Sequence, residues 1–122
     1  VNNEKTILIV EDNPTNLILF QDLLEAKGYK VRTAKTGFEA FDILEEEIPD
    51  LILMDIHLPG LDGLSIVKAI RSTPSLAHIK VVGLSALVME SDIRAAMEAG
   101  LNGYITKPVS LLSFLQEIEK YL

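Results

Sequence analysis

Four short stretches carry side chains that could act on charged oxygen: Glu11-Asp12, Asp55, Ser85 and Lys107. Three carboxylates brought together repel one another unless a cation sits among them, and an all-oxygen donor set suits a hard ion. Mg²⁺ (or Mn²⁺) is such an ion: Mg²⁺ takes one or two carboxylates, keeps waters and completes its shell with phosphate oxygens. An acid, a divalent metal, a hydroxyl and a lysine suit phosphoryl transfer, whose catalysis is mostly positioning and neutralisation of oxygen charge. Asp55 can be the nucleophile, because carboxylates form acyl phosphates. Metal, Ser85 hydroxyl and Lys107 ammonium would each take one phosphoryl oxygen.

Singly, each residue has a plainer reading. Glu11-Asp12 suits a solvated turn before a helix cap, and Asp55 suits a strand-ending turn. Ser85 is a common small residue, and a lysine such as Lys107 usually sits in water. His57 and His78 lack metal-ligand spacing and read as loop residues. The plain readings weaken only if the elements bring all four stretches to one place.

The elements do so. Short β-rich runs occur at Thr6–Val10, Lys30–Ala34, Leu51–Met54, Lys80–Leu84 and Gly103–Thr106. Between them lie segments with apolar residues at helical spacing. The first has Asn13 as N-cap, Pro14 at the first helical position, Leu17, Phe20 and Leu24 inward, and Gly28 as a left-handed stop. The second runs from about Phe38 to Glu47 with Phe41 and Leu44 inward. The third opens at Asp62 and carries Ile66, Val67 and Ile70. The fourth follows Ser91, with Ile93 and Met97 inward and Gly100 at its end. The fifth follows Ser110, with Leu111, Phe114, Leu115, Ile118 and Leu122. Five βα units imply a doubly wound five-stranded parallel sheet of flavodoxin-like α/β type, with strand order 2-1-3-4-5 and helices on both faces. The stretch LILM, apolar at both parities, fits a central covered strand that ends on Asp55. Sites in such sheets form beyond the carboxyl ends of the strands, where strand order reverses. Glu11, Asp12, Asp55, Ser85 and Lys107 all fall at that end.

Bulk properties narrow the field. The 122 residues suit one domain, 1–122, with a hydrophobic fraction of 48% that supports a packed core. A net charge of −7 makes direct nucleic-acid binding and an anionic membrane surface unfavourable. There is no cysteine, which removes disulfides and thiolate metal sites. No apolar run reaches the roughly 18 residues of a spanning helix, and the start lacks a signal-peptide pattern, so a cytoplasmic setting is the simplest expectation.

The stretches ILIVEDN at 7–13, PDLILMDIHLPGLDG at 49–63, VVGLSA at 81–86 and GYITKPVS at 103–110 resemble receiver domains of two-component response regulators, over essentially the whole chain. The resemblance implies that Asp55 accepts a phosphoryl group from a phosphohistidine on a partner histidine kinase or histidine phosphotransfer protein. It implies Mg²⁺ at Glu11, Asp12, Asp55 and the backbone carbonyl of His57, with Ser85 and Lys107 in the family's hydroxyl and lysine positions. Pro108 would follow a cis peptide. Tyr104 occupies the switch-aromatic position, where phosphorylation remodels the fourth helix, fifth strand and fifth helix to meet a downstream effector; its plainer reading is a half-buried strand aromatic. His57 and Leu87 occupy positions that tune the rates. An apolar Leu87 would hinder attack by water on the acyl phosphate, or would merely pack on the fourth helix. The chain would act as a diffusible intermediary, or as the receiver of a larger regulator or hybrid kinase.

Three rivals leave different marks. An aspartyl-phosphate phosphatase would put D-x-D after the first strand, where EDN stands. A flavin binder would want a hydroxyl- and glycine-rich anion loop there. A receiver that binds partners without phosphorylation would not need the complete acceptor set.

Overall fold

The structure, a computed structural model, describes residues 4–56, 63–85, 90–106 and 110–122, with only the backbone described for residues 85, 90–92 and 111. The strands are β1 (Thr6–Val10), β2 (Lys30–Ala34), β3 (Leu51–Asp55), β4 (Lys80–Ser85) and β5 (Gly103–Thr106). They alternate with α1 (Pro14–Ala26), α2 (Gly37–Glu46), α3 (Gly63–Ser72), α4 (Glu90–Glu98) and α5 (Leu111–Glu119). All pairings are parallel, in the order β2-β1-β3-β4-β5. That is the expected topology.

Residue parity divides the core between the two faces of the sheet. Leu8, Val10, Ile52 and Met54 pack with Ala40 and Leu44 of α2, Ile66 and Ile70 of α3 and Ala96 of α4. Ile7, Ile9, Leu51 and Leu53 pack with Leu17, Phe20 and Leu24 of α1 and Phe114 and Ile118 of α5. There the Phe20 and Phe114 rings stack with centroids 4.9 Å apart, joining α1 to α5. Every residue of β3 is buried, as a strand covered on both faces requires.

Local signals act as the sequence implies at most ends. The Asn13 side chain accepts from the Thr15 and Asn16 amides, and Pro14 opens α1. Gly28 (φ +94°) and Gly100 (φ +121°) hold the left-handed turns that stop α1 and α4. Two expectations need correction. Helix α4 begins at Glu90, so Ser91 lies inside it rather than before it. Met97 is 40% exposed, and Ala96 and Ala99 take the inner face instead. The helix starts two residues earlier, and the small side chains of Ala96 and, just past its end, Ala99 make its inner seam. Ser110 stands at the N-cap of α5 but makes no side-chain cap bond.

At the amino edge of the sheet, Arg71 at the end of α3 ties four pieces of chain together. Its guanidinium donates to the carbonyls of Gly100 (2.9 Å), Ala77 (2.9 Å) and Ile79, and to Asn102 Oδ1 (2.7 Å). The same Oδ1 accepts from the Val81 amide at 2.8 Å. Desolvation pushes the Arg71 pKa down from its usual value, yet the group stays charged because an arginine starts so high. The planar fork can serve several carbonyls at once, which a lysine could not.

Candidate functional site at the carboxyl edge of the sheet

The ladder between β1 and β3 runs Ile9 to Leu53 and Val10 to Met54. One further step sets Glu11 beside Asp55, on the same parity as Ile9 and Leu53. Asp12 follows on the turn into α1. Carboxylate oxygens of Glu11, Asp12 and Asp55 all lie within 4.8 Å of one another. Glu11 and Asp55 are buried, whereas Asp12 is exposed. Burying carboxylates is expensive unless they are hydrogen-bonded or meet a cation. Part of that cost is met locally, since the Asn13 amide donates to Glu11 Oε2 at 3.3 Å.

The three donors fit a hard divalent ion. Oxygens on opposite sides of an octahedral Mg²⁺ stand about 4.2 Å apart. A spread of 4.8 Å is close to that span, and Asp12 is exposed to solvent.

Tight backbone packing holds Asp55 in place. The Ile56 amide donates to the Leu84 carbonyl at 3.1 Å, extending the β3–β4 ladder past the acid. The Gly63 amide donates to the Ile56 carbonyl at 3.0 Å. A Cβ on Gly63 would lie 2.5 Å from the Asp55 carbonyl oxygen and 2.7 Å from Ile56 Cα, so α3 can start there only with glycine. Gly83 plays a similar part in β4, where a Cβ would meet Ile56 Cδ1 and Leu101 Cδ1, each at 2.9 Å. Neither glycine stands out in the sequence by itself. The Asp62-Gly63 pair before an apolar helical pattern was the available signal for the first.

The other expected site residues are placed in part. Ser85 ends β4, paired with Thr106 of β5 and one step beyond the Asp55–Leu84 level. Its side chain, with His57, Asp62, Leu87, Lys107 and Pro108, lies outside the described residues. Tyr104 is half-buried in β5, against the face that carries Ala96 of α4. His78 is an exposed turn residue.

Five parallel strands in this order, with acids gathered at the ends of β1 and β3, define a flavodoxin-like α/β domain with an acidic cluster at its carboxyl edge. Residues 7–119 match the response regulator receiver domain family, and the chain belongs to that family. It is 42% identical over 118 residues to the polar-differentiation response regulator DivK of Brucella ovis, covering 97% of this chain and 96% of that protein. Among solved structures it resembles the receiver domain of the sensor histidine kinase PA1611 from Pseudomonas aeruginosa, which has a magnesium ion coordinated in its active site cleft. The TM-score is 0.87 at 31% identity, over 97% of each chain. It also resembles the Mn²⁺-bound form of response regulator Rcp1, with a TM-score of 0.79 at 30% identity over 95% of this chain and 90% of that one. The chain is thus a receiver of two-component signalling.

Proposed function

We propose that Asp55 accepts a phosphoryl group from a phosphohistidine on a partner histidine kinase or histidine phosphotransfer protein. The observation that carries this reading is the gathering of Glu11, Asp12 and Asp55 oxygens within 4.8 Å at the carboxyl edge. Glu11, Asp12 and Asp55, with the His57 carbonyl, would hold Mg²⁺ or Mn²⁺, which supplies neutralisation of carboxylate and phosphoryl charge when bound. The metal-bound structures of the two receivers above support that assignment. An Asp55 carboxylate oxygen attacks phosphorus, a P–O bond forms, and the P–N bond to the donor imidazole breaks with its electron pair returning to nitrogen. The fixed β3 backbone holds Asp55 for this attack. Ser85 and Lys107 would receive phosphoryl oxygens, and Pro108 would follow a cis peptide as the family pattern implies.

The switch runs through β4 to Tyr104. An inward move of Ser85 frees space on the face where Tyr104 packs, and α4, β5 and α5 change what they present to an effector protein. His57 and Leu87 tune how long the acyl phosphate lasts. Residues 1–122 form one receiver domain, working in the cytoplasm through proteins rather than nucleic acid or membrane. It turns over no external substrate; its chemistry is its own phosphorylation and autodephosphorylation.

Incubation with Mg²⁺ and acetyl phosphate tests the reading by intact mass. Wild type should gain one phosphoryl group, chelation should stop the gain, and Asp55→Asn should show none. Failure with acetyl phosphate and with phosphohistidine donors overturns it, and steady hydrolysis of small phosphate esters would favour the phosphatase instead.

A further inference from the structure

The last turn of α2 is built against its own electrostatics. Glu45 and Glu46 close the helix and Glu47 is its C-cap, with no basic residue in that turn. The carboxyl end of a helix carries partial negative charge, so acids there are unfavourable where a lysine or arginine would help. Asp42 adds like-charge pairs with Glu45 and Glu46 at i+3 and i+4. Lys30 and Arg32 on β2 answer part of this, bonding Glu47 at 3.2 and 2.9 Å, with Arg32 also reaching Glu46 at 3.4 Å. Asp42 and Glu45 have no partner among the described residues.

Glu45, Glu46 and Glu47 border an open groove of about 680 Å³ between the ends of α2 and α3. Phe41, Leu44, Ile48 and Leu76 supply its apolar lining and Thr73 and Ser75 its far wall. Ile48 is 50% exposed. Beyond Ile48 a second cavity of about 320 Å³ has a mixed lining, with Lys5 and Lys80 beside Asp50, so the acids cluster on the α2 side. The helices run back from the carboxyl edge of the sheet, so the groove lies at the edge opposite Asp55.

The geometry points to this groove as a docking site for a cationic segment of a partner protein, with one large apolar side chain seated between Phe41, Ile48 and Leu76 and lysine or arginine beside Glu45 and Glu46. A bound cation beside the end of α2 turns an unfavourable charge arrangement into a favourable one. A negatively charged segment meets the opposite. Because the groove and the acidic pocket occupy opposite edges, a partner held here leaves Asp55 open to a phosphodonor.

Titration of the ¹⁵N-labelled full chain with three matched short peptides tests the inference. One carries a central leucine flanked by lysine and arginine, one replaces that leucine with alanine, and one replaces every basic residue with glutamate. The first should give saturable shifts at Phe41, Glu45, Ile48 and Leu76, and the other two should bind at least about tenfold more weakly. Ile48→Glu and Glu45→Lys should each weaken the first peptide by about tenfold, while acetyl phosphate still labels Asp55 at the wild-type rate. That last readout separates failure here from failure of the phosphoacceptor reading. Absence of saturable shifts at the groove, shifts centred on Glu11 and Asp12, or equal affinity in the variants overturns the inference. Self-association of the free chain abolished by Ile48→Glu also overturns it, assigning the groove to a second copy. Glu45→Gln should melt no lower than wild type; a lower Tm would show that Glu45 serves the fold instead.

Discussion

The two edges of the sheet treat charge in opposite ways. At the amino edge, the Arg71 guanidinium is spread over three carbonyls and the Asn102 amide, and the Asp50 carboxylate accepts from the Thr6 amide at 2.8 Å. In these contacts charge is matched by fixed dipoles, and removing Arg71 would leave part-buried carbonyls without their donor. At the carboxyl edge, three like charges are gathered within 4.8 Å. Like charges so close repel one another, and a cation among them would relieve that cost. The Arg71 network serves stability, whereas the carboxyl-edge acids suit a cation. The same rigid strands link them.

The comparison breaks most severely where the functional edge depends on packing. Gly63→Val forces a side chain into the Asp55 and Ile56 backbone. It should cost about 3 kcal/mol or more, read as a lower denaturation midpoint. Surviving folded protein should bind Mg²⁺ poorly because Asp55 has been displaced. A Gly63→Val protein with wild-type stability and metal affinity would show that close approach is unimportant.

Arg71→Leu should come next, at about 2–3 kcal/mol, because it leaves the carbonyls of Gly100, Ala77 and Ile79 without their donor. Urea unfolding measures it, and Mg²⁺ affinity of the folded protein should stay as in wild type. A large loss of metal affinity would mean the edges are not independent.

A smaller effect of opposite sign is expected at the acidic edge. Asp12→Asn removes one of three like charges at an exposed position. Without divalent ions the variant should be stabilised by about 0.5 kcal/mol or less, while Mg²⁺ affinity falls. If Mg²⁺-dependent stabilisation is unchanged in thermal melts, Asp12 is not a ligand.

The smallest effect concerns pH. Hydrogen bonds from Arg32, and then from Lys30, hold the Glu47 carboxyl below its usual range. A lowered folded pKa contributes stability that is present above the unfolded value, about 4.3, and lost as pH falls through the folded one. Arg32→Gln should therefore flatten the acid side of the stability profile below about pH 4.3. The change should be slight and salt-sensitive because the pair is largely solvated. An identical acid limb at low salt would show that the pair contributes nothing.

Much of this was legible in the sequence, for physical reasons. Buried parallel strands require apolar residues at both parities, so LILMD could be read as the centre of the sheet. Strand order follows from five βα units, and order brings Glu11 and Asp12 to Asp55. Residues whose role depends on shape were harder. Gly63 looks like any turn glycine until Asp55 and Ile56 are seen behind it. Arg71, at a helix end, reads as a solvated charge favoured by the dipole, since nothing local shows that Gly100 and Asn102 return to meet it. Met97 outranks Ala96 in hydrophobicity, but the helix register turns the alanine inward.

The most direct test of Asp55 as phosphoacceptor is reductive trapping. Protein treated with Mg²⁺ and acetyl phosphate is reduced with borohydride, which converts an aspartyl phosphate to homoserine, and the site is located by peptide fragmentation. The account predicts homoserine at position 55 and nowhere else, and none without Mg²⁺. Homoserine at position 12, or a phosphorylated protein with unmodified Asp55, would contradict it.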